Sequence, residues 1–182
     1  MRLGVFCIAA LLASAAGAVG PQRHPYREHW KKDTFGKRAL AVVGARSALA
    51  QATGKPKEFG GGVAGFGKRL GFGFATHAVK TTVEHAVAAP LHEDLTYHKS
   101  TDRRFSRRLR HALISTVVTS NTRTGKRTPA AGRISGNAAA GAVSGVVLHA
   151  AAGASTAGVG LAGDAGANVA REFWPHHGHR SR

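Results

Sequence analysis

Small residues recur four apart along much of this chain, and that spacing constrains its fold more than any other feature. Gly132, Gly136, Ala140 and Ser144 form one series, and Asn137, Gly141 and Gly145 form a second. In a helix, residues four apart stand one above the other on a single face. Each series therefore leaves a groove along which another helix can approach almost backbone to backbone. Gly61 and Gly65, then Gly67 and Gly71 with Ala75, repeat the pattern upstream. A glycine costs a helix about 1 kcal/mol relative to alanine, a cost that close packing must offset. The spacing predicts an all-α fold, a small bundle of about five helices packed through Gly/Ala-rich faces.

Apolar periodicity places the rods. Asp33 or Thr34 can cap a first helix that carries Phe35, Ala39, Val42, Ala45 and Leu49 on one stripe, with a break at Lys55-Pro56-Lys57. A second follows Phe59, Val63, Phe66, Leu70, Phe74, His77, Thr81, Glu84 and Ala88 until Pro90 stops it. A third, capped by Ser100, Thr101 or Asp102, turns Phe105, Leu109, Ala112, Leu113 and Thr116 inward. Arg103, Arg104, Arg107, Arg108 and Arg110 then form a cationic ridge over that stripe. Thr119 to Thr128 reads as a polar loop ended by Pro129. A fourth helix starts at Gly132, a turn falls at Gly153 to Ser155, and a fifth runs from Ala157 to Trp174 with Leu161, Ala165, Val169 and Phe173 inward. No Asp, Glu, Lys or Arg lies between Gly136 and Gly163. A membrane hairpin would explain that run, but Ala and Gly are weakly hydrophobic and the turn leaves each arm short of a span. Tightly packed helices explain it more simply.

The ends set the compartment. Met1-Arg2, the apolar run Leu3 to Leu12 and the small residues Ala13 to Ala18 have the form of a secretory signal. Ala16-Gly17-Ala18 fits a cleavage site before Val19, and Ala13-Ser14-Ala15 fits as well. The organisation is then a signal peptide over 1–18, an extended arm over 19–33, a helical domain over 34–175 and a basic, His-rich tail over 176–182. Cys7 lies within the signal, so the processed chain carries no thiol, which excludes disulfide, thiolate-metal and cysteine-nucleophile chemistry.

Lys and Arg number 26 against 9 Asp and Glu, a net charge of +17 with His neutral, so the chain attracts polyanions and anionic surfaces whatever its fold. Export, and the lack of aromatics among the arginines, argue against nucleic acid. They favour an anionic envelope surface or lipid as partner, in the periplasm or cell envelope, with peripheral membrane attachment as one form. The small-residue grooves also allow a homo-oligomer.

The densest chemistry lies in Leu91-His92-Glu93-Asp94-Leu95-Thr96-Tyr97-His98. His92, Glu93, Asp94 and Tyr97, with Arg133 and Asn137, are the candidate ligand-binding residues, and His92, Asp94 and His98 form a looser cluster. A helical zinc pair needs its second histidine four residues after the first, and that position is Thr96. Gly62 to Lys68 has the spacing of a phosphate-binding loop, but Arg69 replaces the magnesium-holding hydroxyl. No Gly-x-Ser-x-Gly elbow occurs, and His176, His177 and His179 fall in the tail. No catalytic residue, metal or cofactor is assigned. The favoured reading is a non-enzymatic envelope protein; the alternative is an envelope enzyme or ligand-binding protein using His92, Glu93, Asp94 and Tyr97.

The His92-Glu93-Asp94 to Tyr97 segment, Arg108-Leu109-Arg110-His111-Ala112-Leu113, Thr128-Pro129, Gly132-Arg133-Ile134-Ser135-Gly136-Asn137 and Ala170-Arg171-Glu172-Phe173-Trp174-Pro175 together resemble a family of exported bacterial proteins of unknown function. The resemblance spans roughly Phe59 to Pro175. It implies a single all-helical domain in which the His-Glu-Asp segment links two helices. The family often has proline after the aspartate, where this chain has Leu95.

Overall fold

The computed structural model describes residues 25–174, so the signal segment, the start of the arm and the tail lie outside the described residues. Its helices are α1 (Pro25–Phe35), α2 (Lys37–Ala52), α3 (Gly62–Leu91), α4 (Phe105–Ile114), α5 (Ala131–Val147) and α6 (Ala150–Phe173), with a 3-10 turn at Lys57–Phe59. Two short strands, β1 (Val118–Ser120) and β2 (Arg127–Pro129), pair antiparallel between α4 and α5. The all-α bundle is thus as expected, apart from this hairpin.

The grooves of α5 close as the spacing requires. Gly132, Gly136, Ala140 and Ser144 are all buried, as are Asn137 and Gly141 on the adjoining face. A Cβ on Gly136 would stand 2.7 Å from the Lys80 carbonyl oxygen, and one on Gly132 would stand 2.7 Å from that of Glu84, so this face lies against the α3 backbone. A Cβ on Gly141 would meet the Gly153 carbonyl oxygen at 2.7 Å, which sets the second face against α6. Gly153 is therefore a helix crossing and not a turn. The chain reverses earlier, at Leu148-His149, where the His149 ring accepts a hydrogen bond from Ala152 N at 3.0 Å and caps α6.

Elsewhere the apolar stripes are displaced. On α2 the buried residues are Ala39, Val43 and Ser47, while Val42 and Leu49 stand 41% and 66% exposed. The reason is a small partner: α3 presents Gly73, whose Cβ position lies 3.2 Å from Ser47 Oγ, so α2 crosses where there is least bulk. The first half of α3 buries Gly65 and Arg69, and Val63 is 89% exposed. Among the described residues nothing lies within 4 Å of the Cβ positions of Gly67 and Gly71, so no described element covers this upstream groove. Arg69 acts there as a clamp. Its guanidinium donates to the carbonyls of Lys55, Pro56 and Gly60 and to Gln51 Oε1, over 2.7–2.9 Å, and draws the 53–61 connection over the helix.

Pro90 lies inside the last turn of α3 instead of stopping the helix, which ends at His92 in the left-handed region (φ 52°). Residues 25–33, expected as an extended arm, are helical. Tertiary contacts outweigh the polar composition: Trp30 Nε1 donates to Thr82 Oγ1 at 3.1 Å and the Thr34 and Thr81 hydroxyls share a 2.8 Å bond.

Among the described residues the buried apolar side chains are Ala39, Val43, Ala88, Ala112, Ala130 and Ala140, which bury little area each. Polar contacts between helices supplement them. Lys80 Nζ reaches both oxygens of Asp164 at 2.7 Å, Asn137 Nδ2 donates to Asp164 Oδ2 at 2.8 Å, and Arg133 Nε lies 3.7 Å from Glu84 Oε1. Burial pushes the Glu84 carboxyl above its ordinary range, against the pull of Lys80 and Arg133. No helix among the described residues is long and apolar enough to cross a membrane.

Candidate anion-binding cleft

The segment expected as a polar loop, 119–128, is a hairpin because Asn121 organises its turn. Asn121 Oδ1 accepts from Arg123 N and Thr124 N at 2.9 and 3.0 Å, and Gly125 takes the left-handed conformation (φ 66°) that closes it. The chain leaving α3 then lies along β1. Asp94 N donates to Ser120 O at 2.9 Å, Thr122 N to His92 O at 2.7 Å and Asn121 Nδ2 to Leu91 O at 2.8 Å.

This arrangement divides the candidate ligand residues. Glu93 is buried, and its carboxylate accepts from Ala131 N at 2.9 Å and Gly132 N at 3.0 Å. It caps the N-terminus of α5, where exposed amides and the helix dipole favour a negative charge. His92 is the left-handed cap of α3 and does not line the cleft described below. Asn137 is buried between α5 and α6, donating to Arg133 O at 2.9 Å as well as to Asp164. These three are structural residues.

Asp94, Tyr97 and Arg133 do come together, in a cleft of about 280 Å³ between α4, the 94–98 segment and the hairpin. Its walls also carry His98, His111, Ser115, Thr119, Ser120 and the arginines Arg107, Arg110 and Arg127. Arg133 lies at its buried side, donating to the Ser115 and Thr116 carbonyls at the end of α4. Asp94 is the lining's sole carboxylate among the described residues, and it is engaged: Oδ1 accepts from Thr96 N and Oδ2 meets His98 Nε2, each at 2.8 Å.

The arginine ridge is divided too. Arg107 and Arg110 line the cleft, while Arg103 and Arg104 are exposed outside it. Arg108 is half-buried and turned toward α6. It donates from Nε to Glu172 Oε1 at 2.8 Å and lies 4.7 Å from the Phe173 ring centroid. Glu172 is the anchor here, with Tyr97 OH donating at 2.7 Å and Ser100 N at 3.0 Å to its other oxygen. Burial works to raise the Glu172 carboxyl, but the bonds from Arg108, Tyr97 and Ser100 prevail and hold it below its ordinary range. Burial and the bond to Glu172 push the Tyr97 phenol well above its own.

Arg107 is paired with Asp102 at 3.1 Å, and Arg133 with Glu84. Arg110 and Arg127 meet no carboxylate within ion-pair distance among the described residues. The cleft is therefore cationic and polar, with two uncommitted guanidiniums. No group of three or more His, Cys, Asp or Glu among the described residues could hold a metal ion.

Sequence reasoning missed His111, Ser115, Thr119, Ser120 and Arg127. The Asn121 to Gly125 turn was the available signal, since a closed hairpin returns Arg127 alongside Ser120. Compared with protein-family models, curated proteins and solved structures, the chain finds no match in any of the three.

Proposed function

We propose that this is an exported, non-enzymatic binding protein of the cell envelope that engages anionic groups through the face built from α4 and the β1-β2 hairpin. The observation that carries this reading is the lining of the cleft, where Arg107, Arg110, Arg127 and Arg133 surround one carboxylate that is already paired. Arg103 and Arg104 on α4 and Arg123 and Lys126 on the hairpin are exposed and extend the positive field beyond it. Membership of the exported family resembled in sequence, and a periplasmic or envelope location, belong to the same proposal.

The test is sedimentation of the full chain with vesicles of phosphatidylglycerol and of phosphatidylcholine across a salt series. Binding to the anionic vesicles alone, lost as the Debye length falls from about 10 Å at 0.1 M to about 3 Å at 1 M, is the expected result. Equal binding to neutral vesicles, or indifference to salt, overturns it.

One observation favours an enzyme instead, the Asp94-His98 pair on the cleft wall, with His98 71% exposed. A carboxylate-oriented imidazole can move a proton. Glu93 and Tyr97, which that reading also needs, are held by Ala131 and Gly132 and by Glu172.

A further inference from the structure

We infer that the cleft is a discrete site for a phosphate monoester, gripped by Arg110 from α4 and Arg127 from β2. This rests on the anion-binding reading above and names its ligand class. Four features of the cleft support it.

The first is charge stoichiometry. Arg110 and Arg127 line the same cleft and lack carboxylate partners among the described residues, so a ligand that neutralises both must bring about two negative charges. A phosphate monoester carries roughly −1.5 to −2 at pH 7. A carboxylate or a phosphodiester carries one, and would leave one guanidinium uncompensated.

The second is geometry. Two guanidiniums reaching from separate elements suit a tetrahedral group with several acceptor oxygens, since each fork can take two of them. The third is the state of Asp94. Its oxygens are taken up by Thr96 N and His98 Nε2, so this carboxylate does not compete with an entering anion for Arg110 and Arg127. The fourth is size. A volume of about 280 Å³ lies just below the range of roughly 300–1,000 Å³ usual for drug-sized ligands. A phosphorylated headgroup fits that space.

The ester could be free in solution or borne by a lipid, and the experiment separates the two. The full chain is titrated calorimetrically with glycerol 3-phosphate and with dimethyl phosphate, a diester of similar size. One saturable site, at least about tenfold tighter for the monoester, is expected, with a loss of about tenfold or more in R110Q and in R127Q. Both side chains are exposed and make no hydrogen bond among the described residues, so these variants keep the fold, which circular dichroism checks. K37Q, which removes one exposed positive charge from α2, away from the cleft and the arginine ridge, should bind as the unsubstituted chain does.

A second arm measures flotation with phosphatidic acid vesicles while glycerol 3-phosphate is added. Displacement assigns the site to a lipid-borne ester, and persistence assigns it to a soluble one. Equal affinity for monoester and diester, or equal losses in K37Q and R110Q, would overturn the inference while leaving the salt-sensitive binding to anionic vesicles intact. Failure of that vesicle binding overturns the broader reading instead.

Discussion

Glu172→Gln removes one negative charge from a side chain with no solvent exposure while keeping its shape. Three donors converge on that carboxylate: Arg108 Nε, Tyr97 OH and Ser100 N, at 2.8, 2.7 and 3.0 Å. A hydrogen bond to a charged acceptor is worth about 1.5–3 kcal/mol against about 0.5–1.5 for a neutral one, so the charge accounts for roughly 1 kcal/mol in each. The total is about 3 kcal/mol, the lower end of the cost of breaking a buried ion pair, as fits an Arg108 that is 30% exposed and can rehydrate. Urea denaturation followed by circular dichroism, at unchanged m-value, measures the difference.

The pH dependence supplies a second readout. The folded Glu172 carboxyl titrates below its ordinary range, so its stabilisation is complete above the unfolded value of about 4.3 and is lost as pH falls through the folded one. The gap between the unsubstituted chain and E172Q should be full at pH 7 and close in acid. Tyr97→Phe should cost about 1 kcal/mol alone and little in the E172Q background, because both act on one cluster. A gap below about 1 kcal/mol at pH 7, or one that stays constant into acid, would show that α6 does not hold the cleft wall through this carboxylate.

The glycines give a paired prediction, read from thermal melts. Gly136→Ala should cost about 1–3 kcal/mol, because its Cβ would stand 2.7 Å from the Lys80 carbonyl oxygen in a backbone that cannot yield cheaply. Gly67→Ala and Gly71→Ala, with open space around the new methyl, should stabilise by up to about 1 kcal/mol. Arg69→Met should cost about 2–4 kcal/mol by leaving the Lys55, Pro56 and Gly60 carbonyls without their donor, and should speed proteolysis within 55–61. Cleavage and stability equal to those of the unsubstituted chain would refute the clamp.

Legibility followed the range of the interactions. The Asn137 series and the Gly132 series were readable because a four-residue spacing is local, and both faces are indeed covered. The same reasoning put Gly67 and Gly71 in a groove, and they are open, because nothing in a helix reveals which of its faces a neighbour will reach. Stripes of large side chains misled for a related reason. Val42, Leu49 and Val63 are exposed while Ser47 and Gly65 are buried, since helices in this bundle cross where side chains are smallest.

The site shows the same division. His92, Glu93, Asp94 and Tyr97 are adjacent in the chain and were grouped on that ground. Glu93 nonetheless caps a helix that starts 38 residues later, and Tyr97 binds a carboxylate 75 residues away. The amino-acid sequence alone determined the helical class, the strong positive charge and the small-residue faces of α5, because periodicity and composition need no knowledge of neighbours. Which arginines remain uncommitted, and that Arg110 and Arg127 share one cleft, was decided by tertiary packing, since a side chain's charge is known from its type but its partners only from where the other elements come to rest.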